Sequence, residues 1–338
     1  MQPLCITVVG AGITGLWQAL TLARRGHRVR LLERSSQPFA QAASSFAGAM
    51  LAPYCEAEAT PPVVHELGLS SLALWRQTYP AVVEKGTLVV AAARDRRELV
   101  RFAGMTTGHA TLNAGEIDAI EPACGGRFAA GLYFAAEAHV VPLDALAFLL
   151  RAVRDAGADV GLGVTWTDDS PADRLLIDCR GLAAQPELAN LRGVRGERLI
   201  VRSSDVVLTR PMRLLHPRHP IYIVPWGDGR YMVGATVIES EDAGPLTVRS
   251  ALELLGSAYA LHPALGEAEI LDAGAGVRPA FPDNVPKIVV RGRTFYVNGL
   301  YRHGFLLAPI LAELLAGYVE RGEKDERVFV IESEWEGK

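Results

Sequence analysis

The chain has 338 residues, 49% hydrophobic and 21% charged, which suits a compact protein of roughly two domains at about 150 residues each. Its formal net charge of -4 lacks the basic surplus of a nucleic-acid binder, and a basic run such as "RDRREL" (94–99) interleaves with acids, as on a solvated helix face. Cys5, Cys55, Cys124 and Cys179 lie far apart without CxxC or metal-ligand spacing, so they read as reduced thiols of a cytoplasmic protein and no metal site is expected.

"CITVVG" (5–10) is a continuous apolar, β-branched run ending in glycine, the pattern of a buried parallel strand. "ITGLWQALTLARRG" (13–26) has helical spacing and stops at Gly26, and "HRVRLLE" (27–33) is a second strand ending in an acid. No basic leader precedes this βαβ start, and no apolar run reaches the roughly 18 residues that span a bilayer, so neither a signal peptide nor a membrane partner is expected. "QAASSFAGAMLAP" (41–53) is too small and Ser/Ala-rich for an ordinary core helix, and helical stretches then alternate with the strand "GTLVVAA" (86–92). "ALAFLLRAVRDAG" (145–157) is an amphipathic helix and "RLLIDCRG" (174–181) another apolar strand. "IYIVPWGDGRYMVGATV" (221–237) predicts a β-hairpin turning at Gly227, Asp228 and Gly229, and "FYVNGLYRHG" (295–304) a strand running into the helix 305–320. The order predicts an α/β protein: a discontinuous, Rossmann-like dinucleotide-binding domain (1–75, 142–190 and 270–338) with an inserted antiparallel β-rich substrate domain (76–141 and 191–269).

Gly10, Gly12 and Gly15 form G-x-G-x-x-G at the strand-to-helix turn, with Ile13 and Thr14 between the last two. The first glycine permits the turn, the second lets a pyrophosphate approach, and the third lets helix and strand pack closely. The helix start offers free N–H groups to phosphate. Glu33, followed by Arg34, is placed to accept hydrogen bonds from ribose hydroxyls and argues against NADP; FAD and NAD both remain open on this unit. In "AGAGVRPAFPDN" (273–284), Arg278 sits in a rigid apolar frame. It either pairs with an acid such as Asp283 or presents a fixed fork for a carboxylate. Tyr222 is either a half-buried strand tyrosine or a pocket group. His303 and Arg302 precede a helix whose N-terminal dipole suits negative charge on a reduced cofactor.

Taken in order, the glycine loop with Glu33, "SSFAGAMLAP", "GVRGE" (193–197), "YIVPWGDGRYMVGAT" (222–236), "GVRPAFPDNVP" (276–286) and "NGLYRHGFLLAP" (298–309) resemble the D-amino-acid oxidase superfamily, and within it the glycine oxidases of thiamine biosynthesis. The resemblance covers essentially the whole chain and implies FAD as the dinucleotide. It implies that Arg278 and Tyr222 hold the substrate carboxylate and that Arg302 contacts ligand. It also places Ala43, Ser44, Gly48, Ala49 and Met50 near the flavin ring, Leu300, Tyr301, His303, Gly304, Phe305 and Leu306 along it, and Val164 beside the adenine side. The implied reaction is oxidation of glycine or another small amino acid by hydride transfer, giving an imine and, with molecular oxygen, hydrogen peroxide. A D-amino-acid or sarcosine oxidase or dehydrogenase on the same scaffold is the alternative. The resemblance further implies a thiazole-forming enzyme as receiver of the imine, and a homo-oligomer. Relatives often carry a basic residue where this chain has Trp226, so that side chain either narrows the pocket or covers the hairpin.

Overall fold

The computed structural model describes residues 2–167 and 174–334. Two large sheets divide the chain. The first is mostly parallel and has seven strands in the spatial order Phe329–Ser333, Lys287–Arg291, Thr294–Asn298, Leu175–Asp178, Cys5–Val9, Arg28–Glu33 and Asp159–Leu162. Cys5–Val9 lies between Leu175–Asp178 and Arg28–Glu33, parallel to both, so its apolar run is buried on each face. Helix Ile13–Arg24 covers this sheet and packs against helices Gly304–Arg321 and Pro142–Asp155. Their aliphatic side chains, with Trp17 and Trp75 edge to face at 5.1 Å, form one core.

The second sheet has nine strands and a separate core around Leu199, Val201, Met212, Ile223 and Val233. Its centre is the predicted hairpin, Ile221–Pro225 with Arg230–Gly234, and Gly227, Asp228 and Gly229 all take positive φ in the turn. Most neighbours are antiparallel, whereas Met212–Leu215 runs parallel to Thr87–Ala91. Met50–Leu51 and Ala138–His139 form a two-stranded ribbon apart from both sheets.

The sequence-based boundaries need two corrections. Strand Glu269–Ala280, assigned above to the nucleotide domain from residue 270, pairs antiparallel with Arg192–Arg202 and therefore belongs to the second sheet. Its partner is remote in sequence, so no local pattern announces the pairing. Helix Pro62–Thr78 also runs across the assumed break at 75/76. Among the described residues, no helix is long and apolar enough to cross a membrane.

Glu137, beside the ribbon, is fully buried; its Oε1 accepts the Cys55 N–H at 2.7 Å, and its Oε2 makes no hydrogen bond of ordinary geometry among the described residues. Burial pushes its carboxyl from 4.5 up to about 7, against the opposing pull of the nearby Thr87 hydroxyl and of Cys55. Because the folded value is the higher one, its contribution to stability is complete below about pH 4.5 and is lost as pH rises through about 7. Glu137→Gln should therefore gain stability on the parent by up to about 3 kcal/mol between about pH 5 and about pH 8. Thermal melts across that range check this, and parallel curves for the two proteins would contradict it.

Candidate active site

One cavity of about 710 Å³ reaches from the glycine loop to the second sheet. Gly10, Gly12, Ile13, Thr14, Glu33, Arg34 and Val164 line its nucleotide side. Ala43, Ser44, Gly48, Ala49, Met50 and the segment from Leu300 to Leu306 line its middle, and Tyr222, Arg278 and Arg302 complete it. Of the cofactor and substrate residues expected from the sequence, Gly15 alone does not line the cavity.

The loop geometry explains that exception. Gly10 has φ 97, and a Cβ there would sit 2.7 Å from the Cys179 carbonyl oxygen. A Cβ on Gly15 would overlap the Gly10 carbonyl oxygen, so Gly15 serves helix–strand packing. Gly12 differs: a Cβ would meet nothing closer than Ser44 Oγ at 3.6 Å, and the space beyond belongs to the cavity. Gly12 caps helix Ile13–Arg24 without a side chain, and no acid sits in the first turn. The positive end of that helix thus borders the cavity, with the Ile13 N–H donating to Ser44 Oγ at 3.4 Å. The Glu33 carboxylate is fixed by N–H donors from Ala11 (2.9 Å) and Ser35 (3.0 Å), leaving lone pairs for a ligand. Val164 is tied beside it through a 2.9 Å bond from its N–H to the Glu33 carbonyl.

A second helix end contributes. His303 caps Gly304–Arg321, again with no acid in the first turn. Its ring is buried, its Nε2 has no partner among the described residues, and burial, with the Arg302 and Arg278 cations, pushes it down to about 4. It is neutral at neutral pH. Ala49 (φ 52) and Tyr301 (φ 49) hold left-handed backbone in the cavity wall, a conformation that costs a non-glycine residue about 1 kcal/mol or more.

Arg278 makes no ion pair among the described residues; its Nη1 donates to the Thr236 carbonyl at 3.2 Å. Asp283, the acid considered for it above, pairs instead with Lys287 at 2.6 Å. Burial lowers the Arg278 pKa, and neighbouring Arg302 adds to the effect, yet a guanidinium keeps its charge. The result is a cation without a counter-ion inside a cavity. Its guanidinium lies over Gly196, where an added Cβ would overlap it. The edge of the Tyr222 ring lies against Gly48, 2.8 Å from a Cβ there. Gly196→Ala should fold normally, because the crowded atoms end a flexible side chain, and should lower kcat/KM roughly 10- to 100-fold by moving the guanidinium. Circular dichroism and steady-state kinetics test this; unchanged kinetics would mean that the position of Arg278 is unimportant.

The sequence reading missed Glu56 and Phe46 as parts of this wall. Glu56 ends the short helix Pro53–Glu56 and lines the cavity. Burial opposes its charge, but Arg302 foremost, with Arg213 and Arg278, holds its carboxyl down at about 2. A lone acid after "PYC" offers no spacing signal. Phe46 stacks over Gly274 and Gly276, so the small residues before Arg278 make room for a ring, with Arg198 5.2 Å from its centroid. Trp226 does not line the cavity; it is buried with Ile200, Val224 and Met232 and covers the hairpin.

A glycine-rich cradle on a parallel sheet, joined by one cavity to an arginine presented from a separate β-sheet, defines a dinucleotide-dependent oxidoreductase. The chain belongs to the DAO family of FAD dependent oxidoreductases, whose model matches residues 5–318. A Rhizobium etli protein named "Putative thiamine biosynthesis oxidoreductase ThiO" is 51% identical over 325 residues, 95% of this chain and 99% of that protein. The crystal structure of glycine oxidase from Geobacillus kaustophilus superposes with a TM-score of 0.79 at 27% identity, covering 96% of each chain. A "Bifunctional protein ThiO/ThiG" of Synechocystis sp. is 27% identical over 354 residues, and this chain accounts for 93% of its own length but 51% of that protein. FAD is therefore the cofactor. The bare glycine cradle, the free helix end and the unpartnered His303 Nε2 fit it.

Proposed function

We propose that the protein oxidises glycine, or another small amino acid, to its imine with release of hydrogen peroxide, for the thiazole branch of thiamine biosynthesis. The observation that carries this reading is Arg278, a half-buried guanidinium without a counter-ion among the described residues, in the cavity that begins at the nucleotide loop. A carboxylate is the partner its planar fork fits best, and two parallel N–H donors would fix the substrate's orientation as well as its charge. Tyr222 shares this part of the wall and would add a hydroxyl donor.

Gly10, Gly12, Ile13 and Thr14 would hold the pyrophosphate, Glu33 the ribose, and Val164 the adenine side, with Arg34 at the edge. Ala43, Ser44, Gly48, Ala49, Met50 and residues Leu300, Tyr301, His303, Gly304, Phe305 and Leu306 would bracket the flavin ring. Bound FAD supplies the hydride acceptor and returns the electrons to oxygen. The protein's own contribution is position: Arg278 and Tyr222 hold the carboxylate so that the Cα–H faces the cofactor, which can account for much of a rate enhancement without a base on carbon. The start of helix Gly304–Arg321 would stabilise negative charge developing on the ring. The amine needs only to lose a proton to solvent.

The R. etli relative's name supports the pathway, and the G. kaustophilus structure supports glycine as substrate. The fused Synechocystis relative supports delivery of the imine to a thiazole-forming partner. Oxygen-uptake kinetics with glycine, sarcosine, D-alanine and D-proline test the substrate. The expected result is the highest kcat/KM with glycine, and a preference for D-alanine or D-proline would replace the pathway while keeping the chemistry.

A further inference from the structure

Glu56 is charged and lines the cavity, yet its carboxylate makes no hydrogen bond among the described residues. Arg302 Nη2 stands 3.6 Å from its Oε1, His303 Nδ1 3.6 Å from its Oε2, and Arg213 Nη1 4.0 Å from Oε1. These distances are short enough to sustain its charge and too long to complete its hydrogen bonds. Arg213 spends its own donors elsewhere, on Glu58 at 2.8 Å and the Cys55 carbonyl at 3.3 Å. An ionised carboxylate has about four lone-pair sites, and this one belongs to a cavity-lining side chain that is 15% exposed. It lacks a hydrogen-bond donor just as Arg278 lacks a carboxylate among the described residues, and each of the two feels the other's charge. An α-amino acid carries the missing acceptor and the missing donor on a single carbon.

We propose that Glu56 receives an N–H of the substrate's amino group while Arg278 holds its carboxylate, so that the pair selects α-amino acids over carboxylates without nitrogen. The inference rests on the carboxylate-binding reading of Arg278. Since the Glu56 carboxyl stays ionised down to about pH 2, it acts as a hydrogen-bond acceptor and does not keep the amine's proton. The competing explanation is that Glu56 only holds Arg302 in place. The two differ in one consequence: a purely structural Glu56 affects every carboxylate ligand alike, whereas an amine receptor affects only those bearing nitrogen.

The test uses FAD-loaded wild type, Glu56→Gln and Glu56→Asp. Two quantities are read: the KM for glycine, and the Kd of acetate from perturbation of the visible flavin spectrum without turnover. Acetate has the carboxylate and no nitrogen. Glu56→Gln is expected to raise the glycine KM about 10- to 100-fold and to leave acetate binding unchanged or tighter. Glu56→Asp, which keeps the charge with a shorter reach, should fall between. Parallel weakening of glycine and acetate would overturn the proposal, and so would an unchanged glycine KM. Should Glu56→Gln fail to retain FAD, the same selective loss of glycine must appear in Glu56→Asp, and a parallel loss there is equally decisive against it. Acetate binding that does not respond to Arg278→Ala would instead remove the carboxylate clamp, whatever Glu56 does.

Discussion

Arg278→Ala should leave a yellow, folded enzyme whose kcat/KM for glycine falls by about two to four powers of ten. A guanidinium fork offers a carboxylate two charge-assisted hydrogen bonds of roughly 1.5–3 kcal/mol each, and about 1.4 kcal/mol corresponds to a factor of ten. Little of the loss should come from folding. Arg278 has no carboxylate partner among the described residues, and its hydrogen bond to the Thr236 carbonyl at 3.2 Å is long. Truncation removes a half-buried charge that has no counter-ion among the described residues, so the melting temperature should hold or rise. Arg278→Lys should recover only part of the activity, because an ammonium keeps the charge but loses the fork. Titration of flavin content, thermal melts and steady-state kinetics on the same preparations separate these effects. Near-normal kcat/KM in Arg278→Ala would remove Arg278 from the site.

Gly15→Ala should produce the second large effect, of the opposite kind. The added methyl would overlap a backbone oxygen, that of Gly10, which cannot rotate away as a side chain can. Helix Ile13–Arg24 must then move off strand Cys5–Val9, at a cost of about 3 kcal/mol or more. The movement would spoil the N–H array that faces the cavity, so bound flavin should be lost together with stability. Gly12→Ala is the control. Its methyl has 3.6 Å of clearance within the protein, so stability should survive while FAD, which needs that space, binds more weakly. Thermal melts without added FAD and flavin-binding titrations check the contrast. Equal behaviour of the two variants would mean that the glycines are not divided between packing and ligand approach.

The division between these glycines is legible in the sequence because it follows from backbone geometry that any strand–turn–helix of this spacing shares. The same holds for the hairpin at 227–229, whose three consecutive turn residues leave the chain few other conformations. What depends on cross-strand register is not legible. Strand Glu269–Ala280 carries "AGAG", too small and regular to announce a sheet, and its place is fixed by pairing with Arg192–Arg202 far away in the chain. The role of Gly196 follows from that pairing, since only the register brings the Arg278 guanidinium over it. Glu56 is silent for a related reason: a single acid acquires meaning only when Arg213 and Arg302, from two other parts of the chain, converge on it. Trp226 was ambiguous because a tryptophan after a hairpin proline can face either side of the sheet, and burial among Ile200, Val224 and Met232 decides which.

The central claim is that Arg278 presents a small amino acid to FAD, and anaerobic mixing of the FAD-loaded enzyme with glycine tests it most directly. The visible flavin band should bleach with glycine, at a rate at least equal to that with sarcosine, D-alanine or D-proline. Peroxide should form when air is admitted, and Arg278→Ala should show little bleaching at the same glycine concentration. A band unchanged by all four amino acids would contradict the account.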